Sequence, residues 1–224
     1  MDCWICGAEA TSGEHMTKAS DLRMLFGRGR LYLHNDTARN QLVQGTNSKK
    51  LMHGALLCEQ CNNKRTQPHD RAWETLSAYL ADRRPAVRGG DLIRLSDVFP
   101  GATHSSMLGV HLFFAKQFGC LIEENRIPLD VRAFSAAILN NTAHPNLFLS
   151  FHAVRDVRMH RIAGHSKVDV LDVLGKPIWA SWFYDLGPIS VRVMWATPLA
   201  RNKALMQAWH PSRPSKLLRI LPLH

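Results

Sequence analysis

Cys3-Trp4-Ile5-Cys6 opens the chain, and Cys58-Glu59-Gln60-Cys61 repeats its pattern some fifty residues later. Each stretch separates two thiols by two residues, so that one tight turn can present both sulfurs to a single ion. Two such turns complete a tetrahedral four-cysteine shell with Zn–S distances of about 2.3 Å. Between the two knuckles stands Gly13-Glu14-His15, and Asn62-Asn63-Lys64-Arg65 follows the second directly. Four of the five cysteines fall in these pairs. That usage suits metal ligation in a reducing compartment better than disulfides, and no thioredoxin-like βαβ pattern surrounds either pair. Cys120 follows Gly119 in an apolar run and reads as a small buried residue.

Working outward from the knuckles, residues 1–20 read as a turn followed by a short strand that ends at Glu14-His15-Met16. Residues 21–50 are polar and turn-rich, with Gly27-Arg28-Gly29-Arg30 and Gly45-Thr46-Asn47-Ser48-Lys49-Lys50. They read as a long basic loop holding His34 and Asp36, with Leu31-Tyr32-Leu33 as a short strand; loops this long are commonly functional. Met52 to Leu57 predicts a strand running into the second knuckle. Pro68 then starts a helix, because its fixed φ suits a first turn. Asp70 and Glu74 near its start and Arg83 and Arg84 at its end match the helix dipole. Trp73, Leu76, Tyr79 and Leu80 share its apolar face. The Pro- and Gly-bearing stretch 83–90 predicts a boundary between a module at 1–84 and a domain at 91–224.

In the second part, Met107, Val110, Phe114 and Phe118 predict a helix from Ser105 that stops at Gly119. Asp130 caps another helix to Leu139, stopped by Asn140-Asn141. Beyond it, segments 147–154, 168–174, 178–183 and 188–196 carry strand patterns joined by short Gly-Pro turns, which predicts antiparallel neighbours. Trp179, Trp182 and Trp195 read as core rather than as base-stacking platforms. The fold class expected is α+β: a zinc-stapled N-terminal module followed by an α+β domain with antiparallel strands.

With 46% hydrophobic residues among 224, the chain can form a substantial core. A formal charge of +10 favours a polyanionic partner. Arg155, Arg158, Arg161, Arg192, Arg201 and Lys203 are candidates for lining its path. Met1-Asp2-Cys3 does not open a secretory signal. Met107 to Ala115 is the nearest approach to a membrane-spanning run, and His111 interrupts it. The expectation is a soluble, cytoplasmic protein with no membrane partner.

Glu14-His15 between knuckles, the apolar strand ending Leu56-Leu57-Cys58, and Asn62 after the last cysteine together resemble the HNH, or His-Me finger, endonucleases. The likeness covers about the first third of the chain. It implies two strands and a helix around one divalent ion (ββα-metal), stapled by zinc. By this resemblance His15 would be the general base that activates water, since a neutral imidazole accepts a proton at physiological pH. Glu14, with Asn62 or its neighbour Asn63, would hold a catalytic Mg2+ or Mn2+, which prefers oxygen donors. His53 stands where the family carries an asparagine and would position the His15 loop through its backbone, with Asn47 as the alternative. Lys64 and Arg65, then Arg28, Arg30, Lys49 and Lys50, would meet phosphates. The activity implied is cleavage of nucleic acid, most simply DNA. The alternatives are a catalytically inactive zinc-knuckle nucleic-acid-binding protein, and an adaptor whose second domain docks a protein; a protein partner or a homo-oligomer is compatible with each.

Overall fold

The computed structural model describes residues 1–224 apart from 36–38, 84–86, 201, 202, 214 and 224, and leaves the side chains of 55, 56, 157, 203 and 204 undescribed. The chain is α+β. Strand β1 (Ser12–His15) leads into helix α1 (Ala19–Phe26), and β2 (Leu31–Leu33) pairs with β3 (Gln41–Val43). Strand β4 (Met52–Leu57) returns antiparallel to β1, and a π-helical turn over Gln60–Arg65 feeds α2 (Gln67–Asp82). After β5 (Leu92–Arg94) and the single turn α3 (Leu95–Val98) come α4 (Thr103–Asn125) and α5 (Val131–Leu139). The remaining strands are β6 (Leu147–Val154), β7 (Ala163–His165), β8 (Asp169–Val173), β9 (Lys176–Leu186) and β10 (Ile189–Ala196), followed by the short helix α6 (Lys203–Met206) and β11 (Leu217–Leu223).

Seven of these strands form one sheet in the order β5-β11-β6-β10-β9-β7, with β8 also on β9. Its pairings are antiparallel except that of β11 with β6. The alternation over 147–154 has its physical cause here. Leu147, Leu149, Phe151 and Ala153 enter the main core under α4, while Phe148 packs on the opposite face with Met194, Leu205 and Ala208. A side-chain period of two sorts one strand between two faces.

Helix α4 is the axis of the core. It runs to Asn125 rather than stopping at Gly119, and ends where Arg126 turns left-handed at φ 50°. Gly119 answers a packing need instead of a capping one: a Cβ at that position would collide with the Trp4 indole. Gly109 does the same where α4 crosses α2, since a Cβ there would lie 2.8 Å from that of Ala72. By length and composition α4 could cross a membrane, which the sequence reading did not anticipate; 83% of that apolar window is buried inside the fold. A helix apolar on all sides belongs in a core or in a bilayer.

Trp73 and Leu76 of α2 lie in the same apolar cluster as Phe113, Phe114, Tyr184 and Val191. The core therefore runs across the stretch expected to divide two modules, part of which lies outside the described residues. The loop expected over 21–50 also differs, because α1 occupies its first turns. Asp21 fixes that helix: its carboxylate accepts hydrogen bonds from Trp73 Nε1 (2.7 Å), Ser77 Oγ (2.9 Å) and Tyr184 Oη (2.6 Å). Burial pushes the Asp21 pKa up despite these donors. The partners sit 52 to 163 residues away in sequence.

Candidate functional site

The two knuckles meet. The sulfurs of Cys3, Cys6, Cys58 and Cys61 all lie within 4.8 Å of one another, and Cys6 and Cys58 approach to 3.5 Å. A disulfide would bring sulfurs to about 2.05 Å. A tetrahedron with arms of about 2.3 Å has edges of about 3.8 Å, so this cluster has the size of a zinc shell. In the first knuckle Cys3 N donates to Ala8 O (2.7 Å) and Gly7 N to Cys3 O (2.8 Å). In the second, Cys61 N donates to Cys58 Sγ (3.3 Å). The backbone at Ala8 draws the Cys6 thiol down to about 7, while burial raises Cys58 and Cys61. A bound cation supplies the charge that holds buried thiols as thiolates. Arg65 donates to Cys61 Sγ at 2.8 Å, so this predicted phosphate contact leans on the sulfur cluster.

Beside the knuckles opens a cleft of about 330 Å3, which gathers His15, Glu14, Asn62 and Asn63 with Asp70, Glu74, Lys18 and Arg23. Strand β1 delivers the first two and the π-helical turn the asparagines. Their shared orientation follows from an irregular hairpin: pairing jumps from Gly13–Leu56 to His15–Met52, leaving extra residues on β4. Asn62 staples the arrangement, donating through Nδ2 to Ser12 Oγ (2.9 Å) and Gly13 O (3.0 Å).

His15 Nε2 lies 3.0 Å from the Thr46 carbonyl oxygen. A carbonyl only accepts, so Nε2 carries the proton and the neutral ring keeps its lone pair on Nδ1. Burial lowers the His15 pKa more than the Thr46 carbonyl raises it, so the ring is neutral at physiological pH. Arg23 Nη1 reaches Thr46 Oγ1 at 3.3 Å and ties α1 to the same loop.

Glu14 is engaged from behind. Its Oε2 accepts from Lys116 Nζ (3.0 Å) and its Oε1 from Gln117 Nε2 (3.0 Å). Lys116 also reaches Asp70 Oδ1 at 2.8 Å and is fully buried. Burial would strip its proton, but Glu14 and Asp70 outweigh that and hold its pKa above the ordinary value. Lys18 extends the chain of charges, lying 3.7 Å from Asp70 and 3.3 Å from Glu74. Among the described residues, only the four cysteines form a group of three or more His, Cys, Asp or Glu ligand atoms spaced for one ion. The positive charge at the cleft carboxylates comes from two ammonium groups, and this donor set is not a ready cage for a second dication.

His53 does not reach the backbone of the His15 loop. The irregular stretch of β4 turns it toward α4, where Nδ1 lies 2.6 Å from Glu124 Oε2 and Nε2 lies 3.4 Å from Gln117 Oε1. Gly54 N donates to the same glutamate at 2.7 Å. Burial raises the Glu124 pKa, and the His53 and Gly54 donors more than reverse it. The positioning role expected of His53 falls to the Thr46 carbonyl, and Asn47 beside it is exposed. His53 touches the cleft only through Gln117, which bonds Glu14 on its other side. His69, beside Asp70 in sequence, points to Asn141 Oδ1 at 3.3 Å. Arg28, Arg30, Lys49, Lys50 and Lys64 are exposed and lie outside the cleft lining; Arg201 falls outside the described residues.

Lys18, Arg23, Thr46, Lys116 and Gln117 escaped the sequence reading. Lys116 and Gln117 stand at helical spacing from apolar neighbours and carry no local signature. Thr46 contributes a backbone atom, which no residue type announces. No family model, no curated protein and no solved structure matches this chain.

Proposed function

We propose that the chain is a zinc-stapled phosphodiester hydrolase of nucleic acid, with DNA as its substrate and His15 as general base. One observation carries this reading: the His15 ring is neutral, its Nε2–H is committed to Thr46, and the lone pair of Nδ1 is left for a water in a cleft that also holds Lys18 and Arg23. The base takes a proton from water as its oxygen bonds to phosphorus, the P–O bond to the leaving sugar oxygen breaks, and that oxygen takes a proton from solvent, while fixed ammonium and guanidinium groups stabilise the charge gathering on the phosphoryl oxygens. Zinc in the four-cysteine shell fixes β1 against the π-helical turn, and so fixes His15 against Asn62.

The Mg2+ or Mn2+ ion expected at Glu14, Asn62 and Asn63 would share Glu14 with Lys116 and Gln117. The engagement of Glu14 by Lys116 and Gln117 favours a second reading, a zinc-bearing nucleic-acid-binding protein without turnover.

Plasmid nicking by the zinc-loaded protein, in buffer with Mg2+, Mn2+ or neither, separates the two. The hydrolase reading expects nicking by wild type and at least a ~100-fold loss in His15→Ala, the scale of a general base. Retention of plasmid without nicking under all three conditions selects the binding protein. Equal nicking by His15→Ala removes the proposed base.

A further inference from the structure

The face of the sheet turned away from α4 carries a feature that the cleft does not use. Arg192 of β10 stands there partly buried, its guanidinium 5.5 Å from the Phe183 ring centre and 5.8 Å from that of Trp179. Phe183 is its register partner on β9 and Ser150 its partner on β6. One Nη2 donates to Ser181 Oγ at 3.3 Å, while Nε is buried with no hydrogen-bond partner. Among the described residues no carboxylate forms an ion pair with it. A guanidinium withdrawn from water without a counter-charge is costly. Its planar fork fits one class of ligand above others, a tetrahedral oxyanion.

A cavity of about 250 Å3 receives such a group, lined by Arg192, Ser150, His152, Gln207 and the Leu221–Pro222 edge. At about 30 Å3 per water, it has room for a phosphate. Ser150 Oγ lies 2.8 Å from His152 Nε2. His152 Nδ1 is buried with no hydrogen-bond partner. An adjoining cavity of about 770 Å3 shares Ser150 and Gln207 and adds Arg213 and Arg219. Among the described residues, no acidic side chain lines either cavity. Asp185, on the same face of β9, is held by Ser190 Oγ at 2.6 Å.

We propose that this outer sheet face is a phosphate-binding site, with Arg192 as the principal contact and Ser150, His152 and Gln207 as the walls that receive the group. Trp179 and Phe183 hold the guanidinium plane in one orientation, so the fork is set before the ligand arrives. The phosphate can be a free inorganic ion or one unit of a nucleic-acid backbone, which Arg213 and Arg219 would continue to follow. The site is independent of His15 and stands whether or not the cleft turns over substrate.

Calorimetric titration with inorganic phosphate, and anisotropy of a fluorescent single-stranded oligonucleotide, test it at constant ionic strength. Both are run in the His15→Ala background so that the probe stays intact. Phosphate binding that weakens at least ~tenfold in Arg192→Met supports the site, on the scale of losing a charge-assisted hydrogen bond. An oligonucleotide that weakens in parallel assigns it to a nucleic-acid backbone; one that is unaffected assigns it to a free phosphate. His152→Gln, which leaves Arg192 in place, is expected to weaken phosphate by a smaller factor and keeps the test valid should Arg192→Met lose its fold. No phosphate binding by the parent protein, or binding unchanged in both variants, overturns the proposal.

Discussion

The four-sulfur knuckle and the cleft beside it grow from one hairpin, yet they are held by different means. Around the sulfurs, cysteines three positions apart in sequence supply each half of the cluster, and the two halves close through strands that pair directly. Around Glu14, the partners are Lys116 and Gln117, more than a hundred residues away on α4. The knuckle concentrates thiols that a bound cation would hold as thiolates. The cleft has built its cation in, as a lysine ammonium fully removed from water. Removing positive charge from each should therefore have different consequences.

The largest effect is expected at the knuckle. Structural zinc contributes on the order of 10 kcal/mol to folding of the element that holds it. Cys61→Ser should abolish stoichiometric zinc, measured by metal analysis, and release the first sixty or so residues to rapid amide hydrogen exchange. Strands β6, β9 and β10 should keep their protection, because their core rests on Phe113, Phe114 and Trp182 rather than on sulfur. Loss of protection throughout the sheet would mean that the knuckle and the core form one cooperative unit.

Lys116 should come next. Lys116→Met leaves Glu14 without its buried counter-charge and Asp70 with Lys18 alone, a change that typically costs about 3–5 kcal/mol. Adding Glu14→Gln removes the stranded carboxylate and should recover part of that loss. Urea unfolding of the zinc-loaded single and double variants measures the coupling. A Lys116→Met protein within about 0.5 kcal/mol of wild type, the scatter of an ordinary surface change, would dissolve the contrast with the knuckle.

This contrast also marks what the sequence made legible. Cysteine spacing is a short-range signal whose chemistry lies in the residues themselves, and it located the sulfur cluster. Period-two alternation at 147–154 and 188–196 and the Asp130 cap are equally local, and the corresponding strands and α5 formed as expected. Glu14, His15 and Asn62 line one cleft because β1 and β4 pair antiparallel across the irregular hairpin that carries them. What failed depended on distance in the chain. Gly119 looks like a helix end until Trp4 arrives against it. His53 looks like a loop positioner until Glu124 claims it. Lys116, placed between Ala115 and Gln117 in an apolar helix, shows its purpose only once β1 and α2 pack on both sides of it.

A third buried polar cluster sharpens the comparison with the smallest expected effect, because among the described residues it has no built-in cation and it excludes one. His144 N donates to His111 Nε2 (3.0 Å), and His210 Nε2 donates to the His144 carbonyl (3.0 Å). Burial holds His111 well below its ordinary pKa and brings His144 down to about 4, with His210 adding to both shifts. The unfolded chain titrates near 6.5. Between those values the unfolded state binds a proton that the native state refuses, so stability is full above about pH 6.5 and drains as pH falls toward 4. For His144 alone the loss is about 2 kcal/mol at pH 5 and about 3 kcal/mol at pH 4. Unfolding free energies measured between pH 7 and pH 5, above the range where most carboxylates titrate, isolate the histidines. Imidazole resonances of the folded protein should show His111 and His144 still neutral at pH 5. A stability flat over that interval would mean that the trio accepts charge in the folded state, as the Lys116 site does, and the division between cation-bearing and cation-excluding clusters would fall.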